Sequence, residues 1–125
     1  MSTPAWQLTT PLDAIFFDCD GTLSQLEGID ELAKMNNVYE QVSALTEQAM
    51  SETGVNHSLY SERLQLTKPT REQTLNVAQR YYDHITTDAQ SVITLLQEIG
   101  KTLFILSAGN NPSVQEFGSQ LGIPK

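Results

Sequence analysis

The sequence predicts an α/β fold, and three observations support that class. Two short apolar runs, residues 12–17 and 102–106, each end in a polar loop, as buried strands do. The segments between them repeat apolar side chains at helical spacing. About 80 residues separate the runs, far more than the crossover between two parallel strands requires. We therefore expect two parallel strands with an additional helical unit inserted between them.

Loop residues mark the end of each apolar run. Residues 12–17 are followed by Asp18 and then by the turn signal Asp20-Gly21. Residues 102–106 are followed by the loop 107–112, whose Pro112 suits the first turn of a last helix. Because both runs are too short for helices, they predict buried strands.

The first helical region begins at Gly28. A one-sided apolar stripe runs through Ile29, Leu32, Ala33, Val38, Val42, Leu45 and Ala49. Gly54 and Asn56 then interrupt the pattern, and a shorter helical stretch over residues 59–66 ends near Pro69.

Two further helices are predicted before the second strand. Thr70 and Gln73 are the ends of a capping box, which marks a helix start. We expect this helix to bury a face made of Leu75, Ala78, Tyr82 and Ile85. Asp88 is a candidate cap for the next helix, which Gly100 ends. The apolar positions of that helix are Val92, Leu95, Leu96 and Ile99.

This order of elements predicts two units. Residues 1–25 and 86–125 would form an incomplete α/β core, and residues 26–85 a helical cap. Two parallel strands make no stable sheet alone, since sheets usually carry about four to six strands. Either a missing C-terminal half follows, or self-association with another chain completes the sheet.

Composition narrows the class of protein. Seven basic and fifteen acidic residues give a net charge of −8, which argues against nucleic acid or an anionic membrane as the main partner. The lone Cys19 cannot form an internal disulfide and is expected to be a small buried side chain. No signal peptide or membrane span is evident, so we expect a cytoplasmic protein. Trp6, His57 and His84 are expected to be structural.

The strongest chemical signal is the motif Asp18-Cys19-Asp20-Gly21-Thr22. Residues i and i+2 at a strand end project to one side, so Asp18 and Asp20 can face the same pocket. One carboxylate can attack phosphorus and help to hold Mg²⁺, while the other moves protons. Gly21 allows a sharp turn that brings backbone N–H groups near an anion. The alternative is an acidic turn at a strand end.

Ser107 is the second element of the predicted site. It follows a strand and precedes a helix N-terminus, the geometry that holds a phosphate oxygen. By itself this signal is weak, because Ser is common in such turns. Together with Asp18 it is stronger, since both strand ends would open on the crevice where open α/β sheets bind ligands.

These residues resemble the first two motifs of the haloacid dehalogenase superfamily, and most closely its phosphoserine phosphatase branch. The resemblance extends from about Ile15 to the end of the chain and includes residues 27–33, 45–50, 62–64 and 68–73. It implies a partial Rossmann-like haloacid dehalogenase core with an inserted α-helical cap.

The resemblance also implies roles for individual residues. Asp18 would be the nucleophile that forms an aspartyl-phosphate, and Asp20 the general acid and base. Mg²⁺ would be held by the Asp18 carboxylate and the Asp20 backbone carbonyl. Ser107, followed by Ala108 and Gly109, would bind the transferred phosphoryl group.

Three more positions match the substrate pocket of this branch. Arg63 would bind the substrate carboxylate, which suits its planar set of donors, and Glu27 would meet the amino group. Met50 would line the same pocket. Each has a plainer interpretation: Glu27 favours a helix start, Met50 fills the core, and Arg63 pairs with a neighbouring Glu.

Several departures from the family pattern concern the substrate. Ser51-Glu52 replaces a glycine pair, Asn56 replaces a Phe, and Ala108 stands where Gly is usual. The later Lys and the Gly-Asp-Gly-x-x-Asp stretch of the family do not occur before Lys125.

The expected function is that of a Mg²⁺-dependent hydrolase in serine biosynthesis, acting on phosphoserine or a related small carboxylated phosphomonoester. We expect this 125-residue chain alone to be nearly inactive. One alternative is a non-catalytic relative that binds a ligand or a protein. Another is a phosphotransferase or mutase of the same superfamily, against which Glu27 and Arg63 argue.

Overall fold

The computed structural model describes residues 4–5, 7–51 and 57–124. The expectations for Trp6, Glu52, Gly54 and Asn56 fall outside these residues. The described elements, in chain order, are β1 (Ala14–Phe17), α1 (Gly28–Met35), α2 (Tyr39–Ser51), α3 (His57–Thr67), α4 (Arg71–Asp83), α5 (Ala89–Glu98), β2 (Thr102–Ile105) and α6 (Asn111–Leu121).

The two strands form a parallel pair, as predicted. Ala14 lies opposite Thr102 and Phe17 opposite Ile105. The expectation that both strands are buried was half wrong, because helices cover only one face of the pair. On the other face Phe16 is 61% exposed and Phe104 41% exposed, and their rings stack with centroids 4.7 Å apart.

The covered face of the sheet packs on the main hydrophobic core. This core joins side chains of both strands and of α1, α4, α5 and α6, and its largest members include Leu32, Tyr81, Ile93, Leu103, Phe117 and Leu121. Gly118 permits close packing of α6 on β2, since a Cβ there would lie 3.2 Å from the Ile105 Cδ1 atom. The core therefore holds the two strand ends, and the loops that follow them, in fixed relation.

The first helical region is two helices rather than one continuous stripe. The break lies at Asn36 and Asn37, and Asn37 adopts a left-handed φ of 60°. Asn36 accounts for the break, because its side-chain amide donates to the carbonyl oxygen of Thr67 and to Gln73. These bonds tie the end of α1 to the segment between α3 and α4.

The capping box at the start of α4 is confirmed, with Thr70 and Gln73 each accepting from the other's backbone N–H. The predicted buried face was half right, because Ala78 is buried and Ile85 packs against the core. Leu75 and Tyr82 are 40% and 42% exposed. The buried side chains are Thr74, Val77, Ala78 and Tyr81.

Helix α5 begins after Asp88 and stops at Gly100, as expected, but Asp88 does not cap it. Asp88 has a φ of 66° and makes no side-chain capping bond. The predicted apolar face of α5 is largely exposed to solvent, since Val92, Leu95 and Ile99 are 45%, 57% and 59% exposed.

Within the described ranges no helix has both the length and the apolar character that a membrane span needs.

Candidate active site

The loops that follow the two strands lie side by side. A Cβ placed on Gly109 would be 3.1 Å from the Ser107 Oγ atom and 3.5 Å from an Asp20 Oδ1 atom. Between these loops and helices α1 and α3 lies a cleft of about 190 Å³. Its lining residues are Asp18, Asp20, Glu27, Ile29, Tyr60, Arg63, Leu64, Ser107, Ala108, Gly109 and Asn110. Seven of the eight predicted site residues are among them.

Asp18 presents its carboxylate at the end of β1. Its Oδ1 accepts from the backbone N–H of Cys19 at 2.8 Å, and Thr22 Oγ1 lies 3.5 Å from Oδ2. Cys19 points away into the core with no exposed surface, as predicted. Burial, followed by the charge of Asp20, raises the pKa of the Cys19 thiol, so the thiol remains protonated and unreactive.

Asp20 is held from two sides. Its Oδ1 accepts from the Tyr81 hydroxyl at 2.5 Å, and its Oδ2 accepts from the Gly28 N–H at 3.3 Å. Tyr81 is fully buried, and its ring lies 5.4 Å from that of Phe117. Burial and the negative charge of Asp20 raise the pKa of Tyr81, so its hydroxyl stays a donor. The carboxylate of Asp20 is therefore fixed in one orientation.

Gly28 makes this arrangement sterically possible. A Cβ at this position would come within 2.1 Å of the Tyr81 hydroxyl oxygen and 2.9 Å of its Cζ atom. Any side chain at the start of α1 would therefore displace Tyr81 from Asp20. Sequence analysis missed Tyr81; the available signal was that a buried Tyr hydroxyl requires a hydrogen-bond partner.

Glu27 lies at the N-cap of α1 without making a side-chain capping bond. The residue also lines the cleft, so its position fits both the pocket role and the plainer interpretation as an acidic residue at a helix start. Burial, then the negative charges of Asp20 and Asp30, raise the pKa of Glu27 to about 7, while Arg63 opposes the shift. A pKa of about 7 means that the protonated and charged forms of Glu27 coexist near neutral pH.

Arg63 brings a positive charge to the opposite, cap side of the cleft. Its Nη1 donates to Thr46 Oγ1 at 3.3 Å, and its buried Nε has no partner. The ion pairs of the described ranges are Glu31 with Lys34 and Glu31 with Arg80, so the interpretation of Arg63 as half of a surface pair is not supported there. Its guanidinium is available to an anionic ligand.

Met50 is the predicted site residue that does not line the cleft. It lies in the last turn of α2, beyond the buried positions Val42 and Thr46, and is 68% exposed. Four other residues line the cleft without having been predicted: Ile29, Tyr60, Leu64 and Asn110. Among them Asn110 stands out, because its buried Oδ1 has no partner.

The donor set partly fits a Mg²⁺ ion. Asp18 and Asp20 offer oxygen ligands in an acidic cleft, which suits this hard cation. Tyr81 and Gly28 already engage both carboxylate oxygens of Asp20, so its backbone carbonyl is the better candidate ligand. Over the described parts of the chain, no group of three or more His, Cys, Asp or Glu side chains is arranged to hold a metal.

Comparison with known proteins agrees with this geometry. A model of the haloacid dehalogenase-like hydrolase family matches residues 12–125. The chain is 38% identical over 112 residues to phosphoserine phosphatase of Bos taurus and 37% identical to that of Homo sapiens, covering 90% of this chain and 50% of each relative. It thus spans about half the length of these curated relatives.

Solved structures give the same result. A phospho-aspartyl intermediate analogue of phosphoserine phosphatase superposes with a TM-score of 0.77 at 28% identity, covering 89% of this chain and 53% of that one. A substrate-bound phosphoserine phosphatase complex gives a TM-score of 0.79 at 27% identity, covering 91% and 54%. The sequence prediction of the family is confirmed: the chain belongs to the haloacid dehalogenase-like hydrolase family.

Proposed function

We propose that this chain carries the nucleophile half of a Mg²⁺-dependent phosphomonoester hydrolase. The observation that carries the proposal is the convergence of Asp18, Asp20 and Ser107 on one cleft that also contains Arg63. Phosphoserine, or a related small carboxylated phosphomonoester, is the proposed substrate, and the cytoplasm the proposed location.

In the first chemical step, an Asp18 carboxylate oxygen attacks phosphorus and the bond from phosphorus to the substrate oxygen breaks. Asp20, when protonated, gives its proton to the leaving oxygen. A water molecule then attacks the aspartyl-phosphate, Asp20 takes a proton from it, and Asp18 is released with inorganic phosphate. The bonds from Tyr81 and Gly28 hold the Asp20 carboxylate in place for both transfers.

Ser107 and the following loop are suited to hold the phosphoryl group. The Gly109 N–H donates to the Ser107 Oγ at 2.9 Å, so the hydroxyl proton of Ser107 is free to donate to a phosphoryl oxygen. The N-terminus of α6 follows at Asn111 and adds the positive end of a helix dipole. When bound by Asp18 and the Asp20 carbonyl, Mg²⁺ would neutralise charge that develops on the phosphoryl oxygens.

The cap side of the cleft is suited to the rest of the substrate. Arg63 would bind the carboxylate, and its unpartnered Nε favours an acceptor at that position. Glu27 would meet the amino group. Residues 26–85 would form the cap, and residues 1–25 and 86–125 the core. Met50 lies at the end of α2, and its contact with the substrate stays a prediction.

The described residues of the site carry too little positive charge for efficient phosphoryl transfer. In addition, the described helices leave one face of the sheet exposed. We expect the chain alone to be nearly inactive, because a later Lys and further acidic ligands would be supplied by the remaining half of the polypeptide or by association. The exposed sheet face carries the stacked rings of Phe16 and Phe104, and Leu106, Val92, Leu95 and Ile99 are further exposed apolar side chains. In parallel α/β sheets both faces are covered, so this apolar face is the proposed contact for the missing layer.

One observation favours a second candidate function. In the described residues no set of three metal-ligating side chains exists, which suits a relative that binds phosphorylated ligands without turning them over. Glu27, Arg63 and Ser107 would have the same contacts in such a protein.

Phosphate release separates the two functions. The chain, and the chain joined to a family C-terminal half, would be incubated with Mg²⁺ and a panel of phosphomonoesters beside Asp18→Asn. Turnover by the completed protein that requires Mg²⁺ and disappears in Asp18→Asn supports the hydrolase. Turnover that persists in Asp18→Asn refutes it, and absence of turnover in the completed protein favours the binding function.

A further inference from the structure

In the described parts of the chain, two buried side-chain polar atoms lack a hydrogen-bond partner: Arg63 Nε and Asn110 Oδ1. Both residues line the same cleft. A buried polar atom left unpaired costs about 1–3 kcal/mol, so native structures rarely contain one without a reason. Their convergence on one cleft indicates a bound molecule that offers an acceptor to Arg63 and a donor to Asn110.

The unpaired oxygen of Asn110 is the less expected of the two, because an Asn at a helix start can use this oxygen to cap the helix. It occupies the N-cap of α6 in extended backbone geometry, with φ −67° and ψ 127°. An Asn there commonly accepts from the N–H of the second or third helical residue. Here the second helical residue is Pro112, which has no N–H, and Asn110 makes no capping bond. Its oxygen is therefore not committed to the helix.

The chemistry of the missing partner follows from the atom. A side-chain amide oxygen only accepts hydrogen bonds, so its partner must be a donor. An ionised phosphoryl oxygen and a carboxylate are acceptors and cannot satisfy it. Within the proposed substrate, the available donors are therefore hydroxyl or ammonium groups on its carbon skeleton.

We propose that Asn110 is a specificity-determining residue whose side-chain oxygen accepts a hydrogen bond from a hydroxyl or ammonium group on the carbon skeleton of the phosphomonoester. This inference rests on the proposed function and narrows its substrate class. Because the amide is neutral, Asn110 selects for a donor whether or not that donor is charged, whereas the Glu27 carboxylate favours a cation.

Three probes of similar size test the proposal. O-phosphoserine carries an ammonium group, 3-phosphoglycerate carries a hydroxyl in its place, and phosphorylated 3-hydroxypropionate carries neither. Binding is measured by NMR titration in an Asp18→Asn background, so that no probe is hydrolysed. The compared variants are Asn110→Leu, Asn110→Asp, which keeps an acceptor oxygen, and Asn111→Leu. Asn111 is the matched control, because it is exposed and does not line the cleft.

We expect Asn110→Leu to weaken binding of at least one donor-bearing probe about three- to ten-fold, the value of one hydrogen bond. Binding of phosphorylated 3-hydroxypropionate should change less than about two-fold. Asn110→Asp should keep the preference for the donor-bearing probe, and Asn111→Leu should bind as the background does. Which probe loses affinity identifies the donor as ammonium or hydroxyl.

Equal weakening of all three probes by Asn110→Leu would overturn the inference and leave the proposed function intact. So would loss of the donor preference in Asn110→Asp, since the amide N–H would then be the contacting group. If Asn110→Leu does not fold, Asn110→Asp decides alone. If the folded background protein binds none of the probes, the proposed function fails and the inference with it.

Discussion

Replacing Tyr81 by Phe removes one hydroxyl and leaves the buried ring in place. The hydroxyl donates to Asp20 Oδ1, and Tyr81 has no exposed surface through which water could replace it. A hydrogen bond to a charged group contributes about 1.5–3 kcal/mol. Because Asp20 is only half-buried, we expect Tyr81→Phe to lower the free energy of unfolding by about 2 kcal/mol, near the lower part of that range.

Equilibrium urea unfolding followed by circular dichroism measures this change, at one fixed protein concentration so that association is constant. Tyr82→Phe is the matched control, because its neighbouring ring is 42% exposed and its loss of a hydroxyl should cost less than about 0.5 kcal/mol. If Tyr81→Phe costs no more than Tyr82→Phe, the hydroxyl does not hold Asp20 and the described geometry of the site is wrong.

Three other variants test separate parts of the account. Glu27→Gln should raise the free energy of unfolding by about 1–2 kcal/mol above pH 7 and change it little below pH 4.5. The reason is that the pKa of Glu27 is higher in the folded protein than in the unfolded chain, so its charged carboxylate destabilises the folded protein as the pH rises through this window. Urea titrations at both ends of the range check the sign; an equal effect at both would contradict it. Gly28→Ala should lower the free energy of unfolding by more than about 2 kcal/mol. Adding Tyr81→Phe to this variant should recover part of the loss, because the hydroxyl oxygen nearest the new Cβ is then absent. If the losses of stability from the two substitutions simply add in the double variant, a steric clash with the Tyr81 hydroxyl is not the cause. Phe16→Lys should reduce any self-association seen by sedimentation. It should lower the free energy of unfolding by no more than about 1.5 kcal/mol, the value of the stacked contact with Phe104. Unchanged association would show that this sheet face is not a contact.

Local patterns in the sequence were sufficient for much of the fold. The capping box at Thr70 and Gln73, the two apolar runs, and the Gly100 stop depend on neighbouring residues, and each appears where predicted. The cleft residues next to the strand ends were also predictable, because parallel strands bring their carboxyl ends to one edge.

The rest depended on distant contacts that periodicity does not encode. The buried face of α4 packs on side chains that are distant in the sequence, and its Tyr81 bonds to Asp20, 61 positions away. The break between α1 and α2 depends on Asn36, whose amide reaches Thr67. The unpaired oxygen of Asn110 becomes visible only in the structure, where this residue makes no capping bond to α6 and its buried oxygen has no partner.

Exposure of the strands and of α5 was mispredicted for a different reason. An apolar run predicts burial, but it does not say whether the covering layer lies in the same chain. Phe16 and Phe104 are apolar, stack on one another, and remain on the surface, because the described helices all pack against the other face. Two aromatic side chains on this face are therefore better suited to a complete sheet, covered on both sides, than to the two strands described here.

Mass spectrometry of the phosphorylated protein tests whether Asp18 is the nucleophile. The chain joined to a family C-terminal half would be incubated with Mg²⁺ and a reactive small phosphoryl donor, quenched in acid, digested, and mapped peptide by peptide. We expect an acid-stable, base-labile phosphoryl group on Asp18 that is absent from Asp18→Asn and present in Asp20→Asn, where the nucleophile remains. A phosphoryl group on any other side chain, or one that persists in Asp18→Asn, would contradict it.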